Sequence, residues 1–460
     1  MDRPNILWMW TDQQRWDALG AFGNPHVSTP NLDKLAGSGA LFSRAYCNNP
    51  VCMPSRMSAL SGRYPEALGV GVNGIEMPED VPCLHNVLGD AGYHTTNLGK
   101  LHFKNHSNRD HREPHPSYGF SEILISDEPG CYPDPYLAWV RAKAPDQVEN
   151  CMCSTPPAWD GEPVEKHPRG THEPYVFEGP ENLTHSAFVA DMTIDYLRRR
   201  RKEERFFAIA GFYAPHCPLN PPQRFLDMYD PASLPPPQMN EDERERLGLS
   251  DEEWRKVKAY YYALVTHVDE QVGRILAALD QFGLRENTLV IFTSDHGEHL
   301  GDHGLVQKGP PGFESCARVP LILSMPGRIP AGARHDELVE LVDLAPTVLE
   351  TCGLQTPPFM QGRSLLPLLE GREYAPRSSA YMYWKIPFGS HWRALRTERF
   401  KYCVSGDGQE LLYDLEADPA ELRNVVDEEG CSAALGDCRR ELISRTFGAE
   451  SQYPLRSGSY

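Results

Sequence analysis

Asn287-Thr-Leu-Val-Ile-Phe-Thr-Ser-Asp-His-Gly297 is an apolar, β-branched run that stops on a carboxylate and an imidazole. A short run of this kind, bounded by polar residues, reads as a strand buried on both faces. Near the start of the chain, Asn5-Ile-Leu-Trp-Met-Trp-Thr-Asp-Gln13 repeats the arrangement: a core strand, then Asp12 and Gln13. Strands buried on both faces belong to parallel sheets covered by helices. In an open parallel sheet, ligands bind where the carboxyl ends of the strands meet. The two ends can therefore converge, which makes Asp12, Gln13, Asp295 and His296 candidate ligands of one divalent cation. A single Asp after a strand more often caps the following helix. The reading rests on two such ends.

Working outward, residues 40–46, 94–98, 206–212 and 319–324 also read as strands. Residues 29–39, 54–61, 84–92, 183–202, 252–282 and 342–352 carry helical spacing. Strand and helix alternate, so the fold class expected is α/β, with a mostly parallel central sheet and helices on both faces over residues 1–374. Within that span, residues 103–180 are rich in Pro, His, Asp and Glu and show little periodicity. They are expected to form an irregular substrate-loop insertion. From residue 375 the texture changes to short strands at hairpin spacing, Ala380–Trp384, Arg393–Arg396, Phe400–Val404 and Glu410–Asp414. A small C-terminal α+β subdomain, with an antiparallel sheet and a terminal helix, is expected over 375–460.

The chain has 460 residues, 40% of them hydrophobic and 24% charged, which excludes wholesale disorder and fibrous repeats. Its 45 basic and 64 acidic residues leave a formal charge of −19. Neither nucleic acid nor an anionic membrane surface is an expected partner, since both call for basic surface. The run Arg198–Arg201 ends a helical segment, where cations suit the helix dipole. Met1-Asp-Arg-Pro4 leads straight into the first strand, and no apolar run approaches the roughly 18 residues a membrane helix needs. A cytoplasmic location is therefore expected, with most of the twelve cysteines as reduced thiols. No CxxC pair occurs, and Cys151-Met-Cys153 has the wrong spacing for a structural zinc site.

One cysteine stands apart. In Cys52-Met-Pro54-Ser-Arg56, Pro54 suits a first helical turn, and Leu60-Ser-Gly62-Arg63 closes the helix. A thiol at a helix N-terminus with an arginine four residues on sits in an electropositive site. Cys-x-Pro-Ser-Arg followed by Ser-Gly-Arg resembles the sulfatase signature. The resemblance continues along most of the chain. Asp12-Gln13 is similar to the family's first metal pair, and Gly99-Lys100-Leu-His102 to its Gly-Lys-x-His stretch. Pro215-His216-Cys-Pro218 is similar to its His-x-Pro loop, Ser294-Asp295-His296-Gly297-Glu298 to its second metal pair, and Lys308 to a lysine the family keeps. Leu412-Tyr-Asp414-Leu-Glu-Ala-Asp418-Pro419 resembles the usual C-terminal subdomain.

The resemblance implies an alkaline-phosphatase-like fold and hydrolysis of a sulfate ester to an alcohol and sulfate. It implies conversion of Cys52 to formylglycine by a formylglycine-generating enzyme, and one divalent cation held by Asp12, Gln13, Asp295 and His296 together with the modified residue 52. One hydroxyl of the hydrated aldehyde would attack sulfur; deprotonation of the other would expel sulfate and regenerate the aldehyde. Arg56 would hold the diol, and Lys100 and Lys308 would neutralise sulfate oxygens. His216 with Lys308 would protonate the leaving oxygen, and His102 would take the proton in the collapse step. Calcium is the ion expected. The pairs Asp12-Gln13 and Asp295-His296 depart from the Asp-Asp and Asp-Asn of many sulfatases, which brings manganese and zinc into play. Such pairs also resemble those of phosphonate monoester hydrolases, and that activity is the alternative reading; a non-catalytic anion-binding protein is the remaining one. The expected substrate is a small aryl, choline or saccharide sulfate, and a homo-oligomer is compatible with the reading. Specificity is expected from residues 103–180 and from His391-Trp392-Arg393. His299 and His303 are expected to shape their loop, Tyr260-Tyr-Tyr262 to pack a helix, and Cys47 and Cys316 to be buried thiols.

Overall fold

The computed structural model describes residues 3–77, 80–106, 110–111, 113–153, 173–201 and 203–450. Nine strands form the main sheet: β1 (Asn5–Asp12), β2 (Ala40–Tyr46), β3 (His94–Gly99), β4 (Glu122–Ile125), β5 (Phe206–Pro215), β6 (Thr288–Ser294), β7 (Arg318–Ser324), β8 (Ala333–His335) and β9 (Val339–Glu340). Their order is β4-β3-β5-β1-β6-β7-β2-β8, with β9 also paired to β2. Every pairing from β4 to β6 is parallel. β7 pairs antiparallel with both β6 and β2. The mostly parallel α/β sheet expected from the sequence is present.

β1 lies at the centre, and all eight of its residues are buried. Its side chains alternate between two cores. Ile6, Trp8 and Trp10 join the layer that holds the helix Cys52–Ser61, while Leu7 and Met9 join the layer built on the helices His185–Arg198 and Asp251–Gln281. β5 and β6 alternate in the same way. The two-residue period of a strand thus feeds both faces of one sheet. Fully burying a Leu or Ile side chain contributes roughly 1.5–3 kcal/mol, so the central strands are where stability concentrates. The helix Asp251–Gln281 opens on a reciprocal cap. The Glu253 amide donates to Ser250 Oγ, and the Ser250 amide donates to the Glu253 carboxylate.

Residues 103–180 are less irregular than expected. β4 adds to the sheet edge beside β3, and Pro135–Lys143 forms a helix capped by Asp134, whose carboxylate accepts from the Leu137 amide at 2.8 Å. Glu122-Ile-Leu-Ile125 is too short to show a period, and its pairing with β3 decides its conformation. Residues 154–172 of this stretch lie outside the described residues. Elsewhere the helix expected at 342–352 begins at Leu344, after one turn of 3-10 helix. The tiny strands β8 and β9 gave no signal of their own.

A second sheet contains β10 (Ser379–Lys385), β11 (His391–Thr397), β12 (Phe400–Ser405) and β13 (Glu410–Asp414), antiparallel throughout. The helix Ser432–Ala449 packs on it. Buried ion pairs join it to the main body: Arg377 with Asp343, Arg445 with Glu340 at 2.6 Å, and Lys401 with Glu314 at 2.8 Å. No helix among the described residues is long and apolar enough to cross a membrane. No disulfide occurs among the described residues, and Cys47 and Cys316 are buried thiols, as expected.

Candidate active site

Four adjacent strands, β3, β5, β1 and β6, deliver the expected residues at their carboxyl ends. Lys100 and His102 follow β3, His216 follows β5, Asp12 and Gln13 end β1, and Asp295 and His296 follow β6. β3 and β5 approach closely because Gly99 and Gly211 face each other. A Cβ on Gly99 would lie 2.2 Å from the Gly211 carbonyl oxygen, and one on Gly211 would lie 2.1 Å from that of Lys100. Gly99 also has φ +94°, the left-handed region that glycine enters freely. That contact lets the chain turn and drop Lys100 into the pocket with no exposed surface.

Cys52 enters from the other side as the first residue of the helix Cys52–Ser61, all ten residues of which are buried. Its Sγ lies 3.2 Å from His296 Nε2 and 3.6 Å from Asp12 Oδ1. Lys308 Nζ donates to Sγ at 2.8 Å. His296 Nε2 is 3.6 Å from Asp12 Oδ1 and 3.7 Å from Asp295 Oδ1. One ligand atom each from Asp12, Cys52, Asp295 and His296 lies within 4.8 Å of all the others. His296 Nδ1 donates to the Gly297 carbonyl at 2.8 Å, which turns Nε2 towards the cluster as a ligand nitrogen must be turned. Two buried carboxylates, an imidazole and the side chain of residue 52 form a donor set that fits a divalent cation.

Arg56 is anchored from several sides. Its Nε donates to Asp295 Oδ2 at 2.7 Å, and its terminal nitrogens donate to the carbonyls of Thr11 and Lys100 at 3.1 and 3.2 Å. The guanidinium also lies over the Trp10 ring, 4.8 Å from its centroid. It therefore braces Asp295 and ties β1 to β3.

The charges around the pocket set one another. Burial opposes the charge of Asp12, but Lys100 (Nζ–Oδ2 2.6 Å), with Lys308 and Arg56, outweighs it and holds the carboxyl well below its ordinary value. Burial likewise opposes a charge on His296, yet Asp295 and Cys52 push its pKa well above the usual one. The field that favours a proton there also favours a metal ion. Burial and the neighbouring Lys308 push His216 well below the ordinary imidazole value, whereas Lys308 is raised because Cys52 and Asp12 overcome its burial. Lys308 Nζ donates to His216 Nε2 at 2.7 Å, and His216 Nδ1 donates to the Cys217 carbonyl at 2.6 Å. The pair thus holds a cationic lysine against a neutral imidazole.

His102 stands beside His106 and Glu128, behind Lys100. Burial, Lys100 and His106 keep its imidazole well below the ordinary value, hence neutral. Its φ is +60°, a strained value for a side-chain-bearing residue. Asp127 Oδ1 holds the turn by accepting from the amides of Leu101 and His102, both at 2.8 Å. Gln13 is strained in the same sense, with φ +67°. Its amide donates to Asp295 Oδ1 at 3.0 Å, and its carbonyl accepts from the Tyr261 hydroxyl at 2.7 Å.

Three supporting residues escaped sequence reasoning. Glu298 accepts from the Gln13 side-chain amide, which leaves Gln13 Oε1 facing Lys308 Nζ at 3.0 Å. Glu298 stood inside a quoted motif without a role. Tyr261 was expected only to pack its helix. Asp127 lies in the stretch that shows no periodicity. His299 and His303 do shape their loop: His299 Nδ1 lies 3.1 Å from Ser315 Oγ, and His303 stacks on Phe313. A cavity beside His216 is lined by Cys151, Met152, Tyr175, Phe177 and Tyr213 among others, so part of the 103–180 stretch does reach the site. Arg393 is bound to Glu66 and the Tyr381 hydroxyl instead.

With the geometry in place, the chain can be set beside known proteins. Residues 4–354 match the sulfatase family model, and residues 301–446 match the model described as N-sulphoglucosamine sulphohydrolase, C-terminal. An arylsulfatase of Clostridium perfringens is 33% identical over 485 aligned residues, covering 98% of this chain and 96% of that protein. A choline-sulfatase of Rhizobium meliloti is 28% identical, covering 92% of this chain and 83% of that protein. The crystal structure of a phosphonate monoester hydrolase of Agrobacterium radiobacter superposes with a TM-score of 0.85 at 27% identity, covering 98% of this chain and 97% of that one. A family model spanning three quarters of the sequence, an arylsulfatase relative of matching length and the strand-end cluster all agree: the chain belongs to the sulfatase family.

Proposed function

We propose that this sulfatase-family enzyme hydrolyses a small sulfate ester, with residue 52 supplying the nucleophile as formylglycine. The observation that carries the reading is the position of Cys52 Sγ, 2.8 Å from Lys308 Nζ and within 3.6 Å of His296 and Asp12. Asp12, Gln13, Asp295 and His296 would hold the cation, calcium first with manganese and zinc as competitors for a site containing one nitrogen. When bound, the cation supplies Lewis acidity towards a sulfate oxygen. Lys100 and Lys308 bring positive charge to the sulfate oxygens. Lys308 is the proton-bearing member of its pair and faces the leaving oxygen, with His216 holding the ammonium in place. His102, neutral and buried, accepts the proton of the collapse step. Arg56 holds Asp295 in register through its 2.7 Å hydrogen bond, and lies in place to hold the hydrated residue 52 as well. Residues 1–374 are read as the catalytic unit, residues 375–460 as its C-terminal companion, and a formylglycine-generating enzyme as the partner that matures residue 52.

The second reading, a phosphonate monoester hydrolase, is favoured by the structural neighbour of that activity. A panel of aryl, choline and monosaccharide sulfates beside a phenylphosphonate monoester decides between them. The sulfatase reading expects the highest kcat/KM on a sulfate; a clear lead for the phosphonate ester overturns it.

Lys308→Ala tests the acid. For an alkyl or sugar sulfate, whose leaving group needs its proton, kcat/KM should fall about 10²–10³-fold. For 4-nitrophenyl sulfate, which leaves as a stable anion, the fall should be about tenfold or less. Equal losses on both substrates would take the proton donor role away from Lys308.

A further inference from the structure

We propose that the protein carries a second cation site, built by His102, His106 and Glu128, which takes a zinc-type divalent ion and whose occupation blocks turnover. One ligand atom from each of these residues lies within 4.8 Å of the other two. His106 Nε2 is already 3.7 Å from Glu128 Oε1. Zinc bonds of about 2.1 Å in a tetrahedron put neighbouring ligands roughly 3.4 Å apart, so the cluster needs only small side-chain movements to close. Two imidazoles and one carboxylate, with the fourth position open, are a borderline donor set that suits zinc and disfavours calcium and magnesium.

The surroundings hold these groups as ligands are held. The His106 Nδ1 edge faces the Tyr132 hydroxyl at 3.2 Å, which leaves Nε2 for the cluster. His102 is 3% exposed, and its Nδ1 is buried with no hydrogen-bond partner among the described residues. The backbone of His102 is fixed in its strained turn by Asp127. Glu128 Oε2 lies 3.2 Å from the Tyr213 hydroxyl, which also reaches the Cys217 carbonyl at 2.6 Å. Lys100 Nζ lies 4.0 Å from Glu128 Oε1 and closer to Asp12, at 2.6 Å. The strand-end cluster around Cys52 is a different group of residues, so the two sites flank Lys100.

The inhibitory consequence rests on the reading of His102 as the base of the collapse step. A zinc ion on its imidazole occupies the lone pair that would accept the proton. Metal binding itself does not depend on that reading. The test uses the full-length protein in saturating Ca2+, dialysed against ZnCl2, with bound zinc counted by elemental analysis. Wild-type protein is expected to hold one Zn2+ per chain more than His106→Ala and Glu128→Gln. Without zinc, His106→Ala should turn over substrate within about twofold of wild type, and its half-inhibitory zinc concentration should rise at least about tenfold. Co2+ in place of Zn2+ should give a tetrahedral visible spectrum that weakens in both variants. Equal zinc content in all three proteins would overturn the site. A one-ion difference with unchanged zinc sensitivity would keep the site and overturn its inhibitory role. The zinc count needs no substrate, so failure of the sulfatase reading would be seen separately.

Discussion

Cys52→Ala should abolish turnover while leaving the fold intact. Loss of a nucleophile costs about 10⁴-fold or more in kcat, since the remaining binding and electrostatic groups have nothing to aim. The thiol is small and packs at the start of a helix whose other nine residues keep their contacts, so thermal stability should stay close to that of the parent. Cys52→Ser sharpens the experiment. Serine can attack a sulfate ester, but its sulfated form has no second hydroxyl on the same carbon to expel sulfate. It should therefore give at most one turnover, with sulfate retained on the protein. In active protein, the peptide containing residue 52 should weigh about 18 Da less than its thiol form, the arithmetic of replacing a thiol by an aldehyde. Full activity in protein whose residue 52 remains a thiol would refute the mechanism. The measurements are steady-state kinetics and peptide mass.

Arg56→Met should be strongly destabilising. Arg56 and Asp295 have no exposed side-chain surface, and their ion pair measures 2.7 Å. Breaking one partner of such a pair costs roughly 3–5 kcal/mol, because the other charge is left buried and alone. The lost cover over Trp10 and the orphaned carbonyls of Thr11 and Lys100 add to this. Urea denaturation should show the drop as a lower midpoint with an unchanged slope. Saturating divalent cation should recover part of it, because Asp295 is then answered by the metal, and Arg56→Met/Asp295→Asn should be more stable than Arg56→Met alone. If the single and double variants unfold together, the pair does not carry the stability assigned to it. Activity should fall with the single change even where folding is rescued, since Asp295 loses its orientation.

The central strands were legible because each is an apolar run long enough to be buried on both faces, and the residues that follow them are chemically conspicuous. Asn5–Asp12 and Thr288–Ser294 lie side by side as their endings suggested. The strand-end positions of Lys100 and His216 were legible through motif resemblance, which periodicity alone does not supply. What stayed hidden depends on contacts between distant segments. β4 exists because β3 offers an edge, and the antiparallel course of β7 is set by pairing with β6 and β2. The contact of Arg56 with Asp295 could not be read, since the two lie 239 residues apart along the chain. Tyr261 and Glu298 act through the backbone and amide of Gln13, and no one-dimensional pattern records such an arrangement.

The enclosure of residue 52 bears on how the enzyme comes into being. The thiol has zero exposure, and Val51 and the whole helix behind it are buried as well. A maturing enzyme needs an accessible, extended stretch of chain around the cysteine, and the finished protein offers none. On the proposed maturation, oxidation of residue 52 has to happen during synthesis or before the sheet closes, in a race between two clocks. β5 and β6 lie on either side of β1 yet are made about 200 and about 280 residues after it, and such distant pairings are slow to form. On that reading the delay is the interval in which the thiol can be reached, and a chain that folds first would be well made but inert.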